Sequence, residues 1–154
     1  MARSKSWTCA SRCSDRAPGS SNRGDQPFGR PVGAVSSEEA GPLFEGWIHT
    51  LLRAYAESGQ LYDEITYWAP AESRSVEVDF LLERGGEYLA IEVKAGERFA
   101  TGWLGGLKAV VDLPGVVRRI LVYTGNRELR MPDGIEVWPL PKFLAALAEG
   151  TLWP

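Results

Sequence analysis

The strongest constraint on the fold is a two-glycine turn, Gly85-Gly86, between two segments in which apolar and polar residues alternate. Residues 76–83 precede the turn and residues 87–95 follow it, a pattern typical of two antiparallel strands joined by a two-residue loop. With the two glycines as the loop, the strand register is fixed, because each residue must then lie opposite one particular partner. The apolar pairs predicted on one face of this hairpin are Leu82 with Leu89, Phe80 with Ile91, and Val78 with Val93.

The same register brings charged residues together on the opposite face of the hairpin. It places Asp79 directly opposite Glu92, and Glu77 opposite Lys94. Two carboxylates across a strand pair repel each other, and partial burial raises one of their pKa values. A divalent cation removes that penalty, and carboxylate oxygens favour Mg²⁺ or Mn²⁺. The pattern indicates a metal site for phosphodiester hydrolysis, in which Lys94 orients the attacking water and offsets charge on the phosphoryl group.

A plain structural role explains the same charges. Acidic and basic side chains on strands often form a solvated face. Lys94 opposite Glu77 is also compatible with a cross-strand ion pair worth about 0.2–1 kcal/mol. The spacing by itself slightly favours this simpler interpretation and leaves both open.

An amphipathic helix precedes the hairpin. Ser36 or Ser37 is predicted to cap its start, Pro42 to begin its regular part and Gly59 to end it. Its apolar face has helical spacing and consists of Phe44, Trp47, Ile48, Leu51, Leu52 and Tyr55.

The other segments complete an α/β pattern. Residues 61–68 and 135–140 predict strands, and residues 120–123 have the continuous apolar run of a buried central strand. A second helical face comprises Trp103, Leu104, Leu107 and Val111, and a last helix runs from Pro141 to Gly150. The order α-β-β-β-α-β-β-α predicts a mixed sheet flanked by helices, in which an antiparallel meander is followed by a helical crossover to a strand parallel to the third.

Residues 1–40 lack apolar periodicity and are rich in Ser, Gly, Arg and Pro, so we predict a disordered tail. The first 33 residues hold six basic and two acidic side chains, whereas the remaining 121 hold 11 basic and 18 acidic. The net charge of −3 therefore combines +4 over residues 1–33 with −7 over residues 34–154, to which the charge of the body refers below. Cys9 and Cys13 have no second pair or nearby His, so we predict two reduced thiols of a cytosolic protein.

Several classes of protein are excluded by what the sequence lacks. It has no run of 18 apolar residues, and its basic start has no apolar stretch behind it, so we expect a cytoplasmic protein without a membrane partner. The nearest imitation of a phosphate-binding loop, residues 102–109, has Leu107 in place of the second glycine and Ala109 in place of Ser or Thr. No nucleotide-binding loop is therefore predicted.

Short segments along the body carry a family resemblance. They are Gly41-Pro42-Leu43-Phe44-Glu45, Tyr67-Trp68, Glu77-Val78-Asp79-Phe80, Ile91-Glu92-Val93-Lys94-Ala95 and Leu121-Val122-Tyr123-Thr124-Gly125. The two hairpin segments resemble the PD-(D/E)XK motif of the restriction-endonuclease-like superfamily. The whole ordered set resembles the C-terminal domain of unknown function 4143 carried by many prokaryotic AAA+-type ATP-binding proteins, over about residues 41–154.

The resemblance implies a restriction-endonuclease-like fold and a role for each matching residue. Asp79 and Glu92 would be ligands of Mg²⁺ or Mn²⁺, Lys94 the catalytic lysine, and Glu45 the acidic residue that completes the metal site. From the sequence alone, Glu45 could as well be a solvated residue on the surface of the helix as a member of the site. His49 lies one helical turn after Glu45, and its proximity is more simply interpreted as incidental. Because 40 residues cannot hold an ATPase domain, we expect a detached C-terminal module, with a separate ATPase chain as a candidate partner.

Two functions follow: a metal-dependent nuclease acting on DNA, and a catalytically inactive nuclease-fold scaffold or interaction module. The −7 body disfavours broad DNA binding. A local basic patch could still form, although scattered surface charges are the simpler interpretation of the same residues. They are Lys108, Arg118, Arg119, Arg127, Arg130 and Lys142. For the scaffold, exposed tryptophans would mark a surface for a partner or for self-association, since so small a body is not expected to bury all of Trp68, Trp103, Trp138 and Trp153. The nuclease would be favoured by a cleft that brings together Asp79, Glu92, Lys94 and Glu45. The scaffold would be favoured if Lys94 lies on Glu77.

Overall fold

A computed structural model describes residues 36–59, 61–70 and 76–154. The predicted disorder of residues 1–35, with Cys9 and Cys13, lies outside this part of the chain. The elements are α1 (Ser37–Gly59), β1 (Glu64–Trp68), β2 (Val78–Arg84), β3 (Glu87–Lys94), α2 (Gly105–Ala109), β4 (Val116–Tyr123), β5 (Leu129–Arg130), β6 (Glu136–Pro139) and α3 (Leu140–Glu149), with single 3₁₀ turns on either side of α2.

The strands form one mixed sheet in the order β1-β2-β3-β4-β6-β5. Strands β1, β2 and β3 make an antiparallel meander, and β4 returns parallel to β3 after α2. The predicted mixed sheet flanked by helices is confirmed. The sequence analysis missed β5, because a two-residue strand is too short to show alternation.

The hairpin has the predicted register from Phe80–Ile91 to Arg84–Glu87. Both loop glycines have positive φ, 61° at Gly85 and 86° at Gly86, which suits the twist of a two-residue hairpin turn. One predicted pair is wrong. Val78 does not share a face with Phe80, because the pairing of β1 with β2 shifts between Thr66 and Trp68 and the alternation breaks there.

Helix α1 begins with a capping box. The backbone N–H of Glu39 donates to the Ser36 hydroxyl, and the Glu39 carboxylate accepts from the backbone N–H of Ser36. The helix starts at Ser37, so the prediction that its regular part begins at Pro42 is wrong. Pro42 lies in the second turn, where it costs one backbone hydrogen bond.

Two core layers cover the two faces of the sheet. Ile48 and Leu52 of α1 pack with α3 on one face, and Leu107 of α2 packs on the other. Val111, predicted on the apolar face of the second helix, is exposed, and its neighbour Val110 is buried instead, because α2 gives way to a 3₁₀ turn at this point.

The expectation that the four named tryptophans are not all buried is confirmed, but only by Trp103. Trp68, Trp138 and Trp153 are buried, and Trp103 is half-buried, since a sheet covered on both faces has room for them. The indole N–H of Trp153 donates to the carbonyl of Leu61 at 2.7 Å. Trp47, which was predicted on the apolar face of α1, is instead 44% exposed.

No helix in the described segments combines the length and the apolar character that crossing a bilayer requires.

Candidate functional site

The predicted acidic and basic residues meet at one edge of the sheet. Asp79 lies near the start of β2, and Glu92 and Lys94 lie at the end of β3; because these strands are antiparallel, the two ends are adjacent. The Lys94 Nζ lies 2.5 Å from Oε1 of Glu92 and 4.0 Å from Oδ2 of Asp79. Among the described residues Lys94 pairs with these two carboxylates and not with Glu77, so the predicted cross-strand pair with Glu77 is wrong.

Asp79 is held in place by the backbone of the neighbouring strand. Its Oδ2 accepts a hydrogen bond from the backbone N–H of Val93 at 2.8 Å. The side chain is 12% exposed. Burial raises the pKa of Asp79, while the Val93 N–H and the Lys94 ammonium favour the charged form and oppose the shift.

Glu92 is the one charged residue in the described segments that is buried, at 5% exposure. Its Oε1 accepts a hydrogen bond from the Lys94 ammonium, whereas its Oε2 is buried without a hydrogen-bond partner. Burial, followed by the nearby Asp79 carboxylate, raises the pKa of Glu92 to about 7 despite the Lys94 contact. This carboxylate is therefore costly to ionise in the folded protein, and a further cation would stabilise its charged form.

Lys94 is the positive charge of the cluster. Burial alone would lower the pKa of its ammonium, but the hydrogen bond and charge of Glu92, together with Asp79 and Glu45, outweigh burial and raise it. Lys94 is therefore protonated at neutral pH.

Glu45 reaches this cluster from α1. Burial raises the pKa of its carboxyl group, and the charges of Asp79 and Glu77 raise it further, while Lys94 acts in the opposite direction. Glu45 and Asp79 line a common cleft of about 310 Å³ together with Tyr67, Glu77 and Val78. The structure thus brings together all four residues proposed from the sequence, Glu45, Asp79, Glu92 and Lys94.

His49 lies beside the cluster rather than in it. Its ring stacks on Phe80 with the ring centroids 6.0 Å apart, and it lines a smaller cavity of about 110 Å³ next to Glu45. Burial lowers the pKa of His49, and the positive charge of Arg53 adds to this. The ring packs against Phe80 of the core, and its interpretation as an incidental neighbour of Glu45 stays a prediction.

Sequence reasoning gave no role to two residues at the site. Tyr67 lines the cleft, and the only signal was its presence in one of the family segments. Gly106 is buried where α2 packs against the start of β2, and a Cβ there would overlap the carbonyl oxygen of Glu77. This close approach sets the backbone two residues before Asp79.

Three of the proposed basic patch residues serve contacts within the chain. Arg118 pairs with Glu136 at 2.9 Å and donates to the carbonyl of Leu152. Arg119 donates to the carbonyls of Leu107 and Asp133, and Lys142 pairs with Glu128. These side chains stabilise loops and the C-terminal segment.

The chemistry of the cluster fits a hard divalent cation. No three Asp, Glu, His or Cys side chains in the described segments are already arranged as a metal site. However, Asp79, Glu92 and Glu45 offer carboxylate oxygens, which Mg²⁺ and Mn²⁺ prefer. The Glu92 Oε2, buried without a partner, is an oxygen that such a cation would satisfy.

The fold and site define a mixed α/β protein with an acid–acid–lysine cluster at one sheet edge. The chain belongs to the family described as Domain of unknown function (DUF4143), whose model matches residues 40–143. This match includes most of the first helix, the whole hairpin and all four cluster residues. A search of curated proteins found no match.

Proposed function

We propose that this protein is a metal-dependent hydrolase of phosphodiester bonds in DNA, with a restriction-endonuclease-like PD-(D/E)XK fold. The observation that carries the proposal is the position of the Lys94 ammonium, 2.5 Å from Glu92 and 4.0 Å from Asp79, beside a cleft that Glu45 also lines. The mixed sheet, with a meander followed by a parallel crossover strand, supports the fold assignment.

Asp79 and Glu92 would hold Mg²⁺ or Mn²⁺, with Glu45 as an additional ligand. A divalent cation at such a site acidifies bound water and polarises the phosphoryl oxygens. Asp79 is suited to this role because the Val93 N–H holds its carboxylate in one orientation before any ligand binds.

Lys94 would act on the phosphoryl group and the attacking water. Its ammonium keeps its proton at neutral pH, because the adjacent carboxylates raise its pKa. A protonated amine with three donors can orient a water molecule and stabilise negative charge that develops on a phosphoryl oxygen. Its side chain is 34% exposed, so a substrate in the cleft can reach it.

A catalytically inactive interaction module is the second candidate, and one observation favours it. Leu43 and Trp47, one turn apart on α1, are 59% and 44% exposed. Adjacent exposed apolar side chains of this size are typical of a surface that contacts a partner. The partner proposed here is a separate ATPase chain or a second copy of the protein.

Hydrolysis assays on the purified full chain test the proposal. The substrates are bis(p-nitrophenyl) phosphate, which needs no DNA recognition, and supercoiled plasmid, each with Mg²⁺, Mn²⁺ or EDTA. We expect cation-dependent cleavage that Asp79→Ala abolishes and that Asp112→Ala, at an exposed position on the 3₁₀ turn after α2, leaves intact.

Two outcomes would contradict the proposal. Cleavage that continues undiminished in Asp79→Ala would place the activity elsewhere. Absence of cleavage of both substrates, together with no Mn²⁺ binding by calorimetry, would leave the interaction module as the better account.

A further inference from the structure

Two arginines belong to loops that leave the sheet at the same edge as the candidate site. Arg98 lies four residues after Lys94, and Arg127 lies four residues after Tyr123. Lys94 and Tyr123 are paired on the neighbouring parallel strands β3 and β4, so the two loops leave the sheet side by side. In open α/β sheets, ligands commonly bind beyond the carboxyl ends of such strands.

The two loops are in direct contact. A Cβ on Gly125 would overlap the carbonyl oxygen of Glu97, so the backbone of the second loop lies against that of the first. The hydroxyl of Tyr123 accepts from the backbone N–H of Arg127 at 2.8 Å and donates to the Arg127 carbonyl at 2.7 Å. Tyr123 is 1% exposed, so it anchors the second loop to the core.

The two guanidinium groups differ from the other cations of this edge. Lys94 is paired with Glu92, and Lys142 with Glu128. The Arg98 and Arg127 side chains are exposed, and neither has an ion pair or side-chain hydrogen bond within the described segments. Of the nearby acids, Glu128 is occupied by Lys142, which leaves Glu97 as the acidic neighbour of Arg98.

We propose that Arg98 and Arg127 bind the backbone phosphates that flank the scissile bond of a nucleic-acid substrate. This inference rests on the proposed function. Guanidinium groups bind phosphate oxygens in a bidentate manner, and loops fixed to each other hold two such groups at a set separation. A narrow contact of two cations also accounts for how a body of charge −7 engages a polyanion without a broad basic face.

Fluorescence anisotropy of a labelled single-stranded oligonucleotide tests the inference. Binding is measured across a series of KCl concentrations with Ca²⁺ in place of Mg²⁺, so that no cleavage is required. Removal of two phosphate contacts from single-stranded nucleic acid should lower the salt slope by about 1.4. We expect the double variant Arg98→Ala/Arg127→Ala to show this change and to bind about tenfold more weakly at low salt.

The matched control is Arg53→Ala, an exposed arginine on α1 that pairs with Glu57 at 3.9 Å. It should bind as the wild type does. All three substituted side chains, Arg98, Arg127 and Arg53, are exposed, and thermal melting of each variant checks that the fold is intact.

The salt series separates this inference from the proposed function. An unchanged slope in the double variant, an equal loss in Arg53→Ala, or no binding by the wild type would overturn the inference, even if bis(p-nitrophenyl) phosphate is hydrolysed. Displacement of the oligonucleotide by low millimolar inorganic phosphate would overturn it too, because a single phosphate ion would then satisfy the two arginines. An arginine-dependent slope, together with no cleavage of either substrate and no Mn²⁺ binding, would support the contact and contradict the enzymatic role.

Discussion

The carboxylate of Asp79 accepts a hydrogen bond from the backbone N–H of Val93 at 2.8 Å. This contact lies just beyond the last paired residues of β2 and β3, at the candidate site. A side chain thus takes the place of a backbone acceptor at the end of the ladder. The contact has two consequences. It orients Asp79 toward the cluster, and it makes the stability of the hairpin end depend on a proposed metal ligand.

Asp79→Ala and Asp79→Asn should separate these two roles. Alanine leaves the Val93 N–H without its acceptor, which should lower the free energy of unfolding by about 1–3 kcal/mol. Asparagine at this position keeps an acceptor oxygen, so the free energy of unfolding of Asp79→Asn should stay within about 1 kcal/mol of that of the wild type. Both should lose cation-dependent hydrolysis, because neither supplies a charged ligand. Urea unfolding and the small-diester assay measure the two effects, and retained activity in Asp79→Asn would contradict the role of the charge.

The raised pKa of Glu92 predicts how stability changes with pH. Below pH 4.5 the carboxyl group is protonated in both states, and between pH 4.5 and about 7 it ionises in the unfolded chain but not in the folded protein. Stability contributed by the protonated form is therefore lost as the pH rises through this window, by up to about 3 kcal/mol.

Glu92→Gln should remove most of this pH dependence and be more stable than the wild type at pH 8. Urea unfolding between pH 4 and pH 8 measures it, with Glu87→Gln, an exposed residue of the same strand, as the control. A wild type whose stability rises between pH 5 and pH 7 relative to Glu92→Gln would show that the Lys94 contact, not burial, governs this carboxyl group.

Lys94→Ala should expose the repulsion that the ammonium offsets. Without the Lys94 ammonium, Asp79 and Glu92 lose the positive charge that lies within 4.0 Å of both carboxylates. We therefore expect the free energy of unfolding to fall by about 1–3 kcal/mol at pH 8. Mn²⁺ should then raise the melting temperature of this variant more than that of the wild type, since a second cation replaces the first. Lys108→Ala on α2 is the control, and an equal Mn²⁺ shift in all three proteins would show that the ion does not bind at this cluster.

Gly106→Ala should damage the site without touching a charged residue. The new methyl group would overlap the carbonyl oxygen of Glu77, and relief requires the start of β2 or α2 to move, at a cost of about 1–3 kcal/mol or more. Gly105→Ala is a matched control, because no atom lies within 4 Å of its Cβ position and its backbone is helical. It should be neutral or stabilising by up to about 1 kcal/mol. Equal melting temperatures for the two variants would contradict the close approach.

The features predicted correctly from the sequence depend on short stretches of chain. Gly85 and Gly86 set the hairpin turn, because two adjacent residues with positive φ strongly favour glycine, and the alternation on each side then sets the register. The predicted cap at Ser36 involves only four consecutive residues, from Ser36 to Glu39. From these local rules the pairing of Phe80 with Ile91, and the approach of Asp79 to the end of β3, followed directly.

The tertiary structure decided what depends on segments far apart in the sequence. The face of Val78 follows from a register shift against β1, and the burial of Trp138 and Trp153 follows from core layers on both sides of the sheet. The sequence left open whether Lys94 lies on Glu77 or shares a cleft with Asp79, Glu92 and Glu45. Its ammonium lies on the buried Glu92, since a buried carboxylate gains more from an ammonium than an exposed one does. Sequence periodicity indicates which side of one element faces the core. The face of Val78, the burial of the tryptophans and the partner of Lys94 depend instead on how separate elements pack together and on which charges that packing brings close.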